Sequence, residues 1–296
     1  MTTIEKIQWG FKLLRPHQWI KNGIVFFPLI FGGFLFDGEK FAATLLAAIG
    51  FCFVSSSVYC LNDVIDYDND VNDPEKCRRP VASGVISKGE ALLLSIVMAG
   101  VGLLLGWGLV SCEVFFGLLI YWIINILYCL WLKQQMLIDV MTVALGFVLR
   151  VVVGGLAASV ELSRWIIIMI FLLALFLSVA KRRHEVVEVE NERRSMVRKS
   201  AEGYNKPFLD ATLSILGAVL IIGYILYTLQ PRPTVTPLSD YLYVTSLPVL
   251  YGILRYLRLT IVDNRSGSPT YVVYSDKGIK ATVVVWLVSF VLIIYC

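Results

Sequence analysis

Nine stretches of this chain are apolar over a length that matters to a membrane. They lie near residues 22–36, 40–61, 89–110, 113–131, 138–159, 164–180, 208–229, 239–257 and 279–296. A helix crossing the hydrocarbon core of a bilayer needs about 20 such residues, and no water is present there to satisfy open backbone groups. Repeated runs of this length admit one fold class, an all-α polytopic membrane protein. The 296 residues are 57% hydrophobic, with mean hydropathy +0.74, against about 45–50% apolar residues in a soluble domain. The runs at 22–36 and 164–180 are short, and Pro248 would kink the run at 239–257. About nine spans are expected, or eight if 239–257 is re-entrant.

Orientation follows from the basic residues, which concentrate on the cytoplasmic side of spanning helices. One set of connecting segments carries Lys6, Lys12, Arg15, Lys21, Lys76, Arg78, Arg79, Lys88 and Lys133, then the cluster from Lys181 to Lys206, then Arg255 to Lys280. The opposite set carries Lys40, Arg164 and Arg232. A cytoplasmic N-terminus in a cell (inner) membrane is therefore expected, with the long polar loops 62–88, 181–207 and 258–278 on the same side. Polar mass on one face fits an enzyme whose site opens to the cytoplasm. The chain reads as one domain, 1–296. Ile4, Ile7, Phe11 and Leu14 recur at helical spacing within residues 1–18, which fits an amphipathic segment on the membrane surface. No secretory signal peptide is visible in Met1 to Gln18. Two histidines and six scattered cysteines give no zinc pattern, and no nucleic-acid partner is expected.

The second apolar run ends in Asn62-Asp63-Val64-Ile65-Asp66-Tyr67-Asp68-Asn69-Asp70. As a helix continuing out of that run, Asp63, Asp66 and Asp70 form one stripe at i, i+3 and i+7, with Asn62 one turn before Asp66. Like charges at this spacing repel, and a helix C-terminus already disfavours anions. No counter-charge is local to the stripe, so a hard cation such as Mg²⁺, shared with substrate phosphates, is a natural partner. The alternative is a solvated turn between two spans.

Other polar residues interrupt apolar surroundings. Lys21 lies at the mouth of the first span, as a snorkelling lysine or an anion contact. Asn125 and Tyr128 lie in the fourth span, where an amide bonds a neighbouring helix or a ligand. Asp139 opens the fifth span, and Gly146, Arg150 and Gly154 follow on its stripe. Arg150 lies about 16 Å beyond Asp139 at 1.5 Å per residue, near mid-membrane. Such a charge requires a polar cavity or an anionic partner, or pairs structurally with an acid elsewhere. After the sixth span, Lys181, Glu185, Glu188 and Glu192 share a helical stripe beside Arg182. Arg198, Lys199 and Tyr204 follow in a basic segment that could equally serve topology or anionic lipid.

These residues resemble a family. Asn62-Asp63-x-x-Asp66-x-x-x-Asp70, placed after the second of about nine spans, is similar to the NDxxDxxxD motif of the UbiA superfamily of intramembrane prenyltransferases. The resemblance implies nine helices around a central cavity, with two polar motifs facing across its cytoplasmic mouth. It departs from the usual pattern at the second motif, where Lys181-Arg182-Arg183-x-Glu185 stands in place of aspartates. That variant looks like the phosphoribosyltransferase branch of the superfamily. So do Leu14-Arg15-Pro16-x-Gln18-Trp19-x-Lys21-Asn22, Arg79-Pro80 with Ser83-Gly84, Asp139-Val140 with Phe147-x-Leu149-Arg150, and Arg198-Lys199-Ser200 with Tyr204.

The branch implies Mg²⁺-dependent transfer of 5-phosphoribose from phosphoribosyl pyrophosphate to a polyprenyl phosphate. Asp63, Asp66 and Asp70 would hold the metal, and Asn62 would orient a ligand. Lys21, Arg79, Asn125, Tyr128, Asp139, Arg150, Lys181, Arg182, Glu185, Arg198, Lys199 and Tyr204 would contact substrate. The alternative is transfer of a prenyl group from its diphosphate to an aromatic or lipid acceptor. A transporter is the remote one, since no paired broken helices are visible. The partners implied are the donor, the lipid phosphate and the bilayer; assembly into a homo-oligomer is left open.

Overall fold

The protein is described here from a computed structural model, covering residues 3–74, 76–190, 203–230, 238–265, 267, 272 and 275–295. The described residues are helical and contain no strand. Helix α1 is Thr3–Leu14, and a 3-10 helix Pro16–Phe26 leads into α2, Phe27–Phe31. Then come α3 (Gly38–Ile65), α4 (Tyr67–Val71), α5 (Lys88–Leu109), α6 (Cys112–Leu130), α7 (Ile138–Ala158) and α8 (Arg164–Glu190). The series ends with α9 (Lys206–Thr228), α10 (Ser246–Ile261) and α11 (Lys277–Tyr295).

Seven of these, α3, α5, α6, α7, α8, α9 and α11, are long and apolar enough to cross a membrane. The expected count of about nine is not reached among the described residues. The run at 22–36 divides between the 3-10 helix and the five-residue α2, which ends at Gly32-Gly33. The run at 239–257 divides between a 3-10 helix Ser239–Thr245 and α10. Pro28 and Pro248 have no N–H to bond the turn before them, so neither run builds one long α-helix.

Side chains set several helix starts. Asp37 accepts from the Lys40 backbone N–H at 3.1 Å, and Ser111 from that of Val114 at 3.3 Å. Asn205 accepts from Phe208 at 2.9 Å. Ser87 and Glu90 form a reciprocal capping box, satisfying two of the donors that every helix start leaves open.

Packing divides the chain into two compact units. The first comprises Met1–Lys133 and Gly146–Leu162. Its α3 lies closest to α5, where a Cβ on Gly102 would stand 2.7 Å from the Gly50 carbonyl oxygen. Phe51, Leu118, Val153 and Val25 fill one core, and Leu13, Cys60, Val81 and Ile86 a smaller one. Three successive serines of α3 tie elements together. Asn22 donates to Ser55 Oγ at 3.4 Å, Trp19 Nε1 to Ser56 Oγ at 3.0 Å, and Trp122 Nε1 to Ser57 Oγ at 3.1 Å. Polar side chains are well used this way between spans, where no hydrophobic force separates helix from lipid.

The second unit comprises Gln134–Leu145 and Ser163–Cys296. Phe176, Leu209, Leu213, Tyr256, Leu259 and Ile279 form its core. Leu92, Leu93, Ile96, Leu104 and Trp107 of α5, and Ile215, Ile222 and Leu226 of α9, are exposed. Faces of this kind suit acyl chains.

Candidate active site

The aspartate stripe survives a break in its helix. α3 ends at Ile65 and α4 begins at Tyr67, with Asp66 at φ −84° and ψ 2° between them. Asp66 N–H still donates to Asn62 O at 2.9 Å, and Asp70 N–H to Asp66 O at 2.8 Å. The helical register therefore continues, as the sequence indicated. Asp63 and Asp70 are almost fully buried, while Asp68 projects outward.

The absence of a counter-charge expected from the local sequence is corrected by tertiary structure. Arg15 Nη2 donates to Asp63 Oδ1 at 2.5 Å. Arg79 Nη1 donates to Asp70 Oδ2 at 2.6 Å and reaches Asp63 Oδ1 at 3.4 Å. Lys133 Nζ donates to Asp66 Oδ1 at 2.5 Å. Burial pushes the Asp70 carboxyl above the ordinary carboxylate range, and the Arg79 guanidinium pulls it back. One acceptor remains open: Asp63 Oδ2 is buried with no hydrogen-bond donor among the described residues. No three His, Cys, Asp or Glu side chains among those residues are grouped so as to hold a metal ion.

Arg15 reaches Asp63 from an unusual backbone. Its φ of 52° and ψ of 58° are left-handed, between the end of α1 and Pro16. A non-glycine residue held there costs on the order of 1–3 kcal/mol and persists where its surroundings over-determine it. Leu13 is fully buried, and Ser56 Oγ holds the Leu14 carbonyl at 2.9 Å. Asn62 Oδ1 accepts from Cys129 Sγ at 3.5 Å. Lys21 is half-buried on the first 3-10 helix.

Arg150 is buried in the first unit, among neutral groups. Its Nε donates to Asn22 Oδ1 at 2.8 Å, Nη1 to Gly146 O at 2.7 Å and Nη2 to Tyr121 OH at 2.9 Å. The rings of Tyr121, Phe147 and Phe51 lie 4.8, 5.2 and 5.5 Å from the guanidinium carbon. No acid pairs with it among the described residues, so carbonyl, amide, phenol and ring faces support the charge expected near mid-membrane. Asn125 bonds the Tyr121 carbonyl of its own helix at 2.8 Å, not a neighbouring one. Tyr128 is half-buried on α6.

In the second unit α8 runs unbroken through the variant motif to Glu190. Lys181 is exposed, whereas Arg182 and Arg183 are buried. Arg182 Nε donates to Asp139 Oδ2 at 2.7 Å, and its Nη1 donates to Glu185. Tyr204 OH donates to Asp139 Oδ1 at 3.0 Å and accepts from the Leu137 backbone N–H at 2.8 Å. Burial, with Asp139 nearby, pushes the Tyr204 phenol up to about 12. Arg183 bonds Asp210, the Thr260 and Ile261 carbonyls and Asn264, closing the end of α10. Arg198 and Lys199 lie outside the described residues.

Arg15, Tyr121, Lys133 and Arg183 are not among the site residues expected from sequence. For Arg15 the one signal is its place in the stretch Leu14 to Asn22 that carries the resemblance, and in sequence Lys133 reads as topology charge.

Comparison with known proteins decides the family. Residues 25–274 match the UbiA prenyltransferase family. The chain belongs to it. It is a membrane transferase of that family, similar to decaprenyl-phosphate phosphoribosyltransferase from Corynebacterium glutamicum, at 29% identity over 289 residues. That match covers 96% of this chain and 86% of the relative. The enzyme of the same name from Mycolicibacterium smegmatis is 29% identical over 287 residues, covering 93% and 89%. A solved structure of a UbiA homolog from Archaeoglobus fulgidus bound to GPP and Mg²⁺ shares the fold. Its TM-score is 0.70 at 20% identity, covering 96% of this chain and 99% of that one.

Proposed function

We propose that this UbiA-family chain transfers 5-phosphoribose from phosphoribosyl pyrophosphate to a polyprenyl phosphate, with Mg²⁺, at the cytoplasmic face of the membrane. The observation that carries the reading is the character of α8 where the family's usual second aspartate motif would stand. There Lys181 is exposed, and the adjacent Arg182 is buried and held by Asp139 and Glu185. The similarity to two decaprenyl-phosphate phosphoribosyltransferases over more than nine-tenths of the chain supports the same transferred group.

Asp63, Asp66 and Asp70 supply the hard oxygen donors that Mg²⁺ takes, although the three are not grouped as a ready-made metal site. Asp63 Oδ2 is a buried acceptor in need of a donor or metal. The stripe does not build a closed cage, which suits Mg²⁺, an ion that keeps ligand positions for substrate phosphates. When bound, the ion would neutralise charge developing on the diphosphate leaving group.

The chain's own work is positioning and charge balance. A lipid phosphate oxygen forms the new bond to the anomeric carbon as the carbon–diphosphate bond breaks. The lipid phosphate is ionised near neutral pH, so no side chain needs to remove a proton. By analogy with glycosyl transfer the transition state is oxocarbenium-like. Arg79, partly exposed beside Asp70, would share a diphosphate oxygen. Lys181 supplies positive charge for the donor's 5-phosphate, and charge-assisted bonds to phosphate are about twice as strong as neutral ones. Arg198 and Lys199 join the same role on sequence grounds.

Steady-state kinetics of Lys181→Ala test this. KM for phosphoribosyl pyrophosphate should rise about tenfold, the scale of one charge-assisted contact, with KM for the polyprenyl phosphate little changed. An unchanged KM for the donor would remove Lys181 from the site.

A further inference from the structure

Each of the three motif carboxylates already holds a protein cation. Arg15 is on Asp63, Arg79 on Asp70 and Asp63, and Lys133 on Asp66. Three negative charges meet three positive ones, at 2.5–2.6 Å for the close pairs. Beside them, Asp63 is 1% exposed and its Oδ2 has no donor among the described residues. One ligand position is thus ready for a hard cation, while Asp63 Oδ1, Asp66 Oδ1 and Asp70 Oδ2 are shared with side chains.

The geometry points to a charge exchange: Arg15 and Lys133 compete with the divalent cation for the aspartates and are handed to the diphosphate when the metal binds. This deepens the proposed function and rests on it. A divalent cation arriving alone meets a charge-balanced cluster and must displace an ammonium or guanidinium left without an anion. A metal arriving with a diphosphate brings the replacement anion with it. Metal and diphosphate are then expected to load together, and neither to bind tightly by itself.

The test reads binding, without turnover. Mn²⁺ binding to the purified full-length protein is measured by electron paramagnetic resonance with no diphosphate present. Retention of labelled inorganic pyrophosphate is then measured in the presence of Mn²⁺. The wild type should bind Mn²⁺ weakly. Arg15→Gln and Lys133→Gln should each bind it about tenfold tighter, the scale on which one nearby opposite charge moves a carboxylate's affinity for a proton. The same two variants should retain less pyrophosphate, and Arg15→Lys, which keeps the charge, should behave as the wild type in both. A cation that merely props the fold would weaken both binding events when removed, and that result overturns the exchange. So does Mn²⁺ affinity unchanged in both variants. If Asp63→Asn leaves Mn²⁺ binding as it is in the wild type, the metal reading beneath the proposal fails with it. Loss in Asp63→Asn without gain in the other variants removes the exchange alone.

Discussion

Asp63 and Asp70, two helical turns apart, share one guanidinium: Arg79 Nη1 stands 3.4 Å from Asp63 Oδ1 and 2.6 Å from Asp70 Oδ2. One cation thereby holds both ends of the motif in register across the break at Asp66. Arg79→Gln should separate them. Breaking a fully buried pair costs about 3–5 kcal/mol. The Arg79 side chain is 24% exposed, so a loss of about 1–3 kcal/mol is expected, read as a lowered melting midpoint in detergent. Turnover should fall about 100-fold, as for loss of one positioned donor. Arg79→Lys should recover part of the stability and less of the turnover, since an ammonium keeps the charge but lacks the guanidinium's further donors in a fixed fork. A wild-type midpoint in Arg79→Gln would contradict the bridging role.

Gly154 tests the packing around Arg150. A Cβ there would stand 1.9 Å from the Val25 carbonyl oxygen, a backbone atom with little freedom to retreat. Gly146, about two turns earlier on the same stripe, has its nearest neighbours at 3.6 Å. Gly154→Ala should cost at least the 1–3 kcal/mol or so usual for overpacking and lower the yield of folded protein, while Gly146→Ala should melt within a few degrees of the wild type. Equal behaviour of the two would contradict the close approach.

Tyr204 gives a prediction in pH. Its phenol is raised from the ordinary 10.0 to about 12, first by burial. The neutral form is the one favoured by folding, so the Tyr204–Asp139 bond contributes fully below pH 10. Between about 10 and 12 the unfolded chain gives up a proton that the folded one retains, and this contribution to stability is lost as pH rises. Tyr204→Phe should therefore lower the melting midpoint by a constant amount from pH 6 to 9, equivalent to about 1–3 kcal/mol for loss of the hydrogen bond to a charged carboxylate. The gap to the wild type should close as pH approaches 12. A gap that widens above pH 10 would reverse the sign.

How far the site was legible before the structure depends on contact range. The aspartate stripe is a spacing within one helix, and periodicity shows it even through the break at Asp66. The cations that answer it are 48, 16 and 67 residues away in sequence for Arg15–Asp63, Arg79–Asp63 and Lys133–Asp66. Local spacing says nothing about pairs so distant, which is why the cluster read as uncompensated. Lys181 and Arg182 are adjacent in sequence and read alike as phosphate ligands, yet one faces outward and the other is buried on Asp139. Which side of α8 is covered depends on α7, and hydropathy does not report it. The seven long spans are visible as apolar runs, and Pro248 marks the kink in the run at 239–257; the division of the run at 22–36 at Pro28 and Gly32-Gly33 is seen only in the structure.

The Lys/Arg asymmetry predicts that loops 62–88 and 181–207 face the cytoplasm. Single cysteines at Lys88 and Ser195, in a chain with its native cysteines replaced, should stay unlabelled by an impermeant thiol reagent in intact cells and react after the membrane is opened. Efficient labelling of either from outside would overturn the orientation.

The central claim is the identity of the transferred group, and donor choice measures it most directly. Purified protein in lipid nanodiscs would be given Mg²⁺, a polyprenyl phosphate, and phosphoribosyl pyrophosphate labelled in the ribose. A parallel reaction would contain labelled geranylgeranyl diphosphate and an aromatic acceptor. The account predicts ribose label in the lipid fraction, one pyrophosphate released per lipid labelled, and no prenylated acceptor. Prenyl transfer from the diphosphate with no ribose label in lipid would contradict it, and would return the basic cluster of α8 to a topology signal.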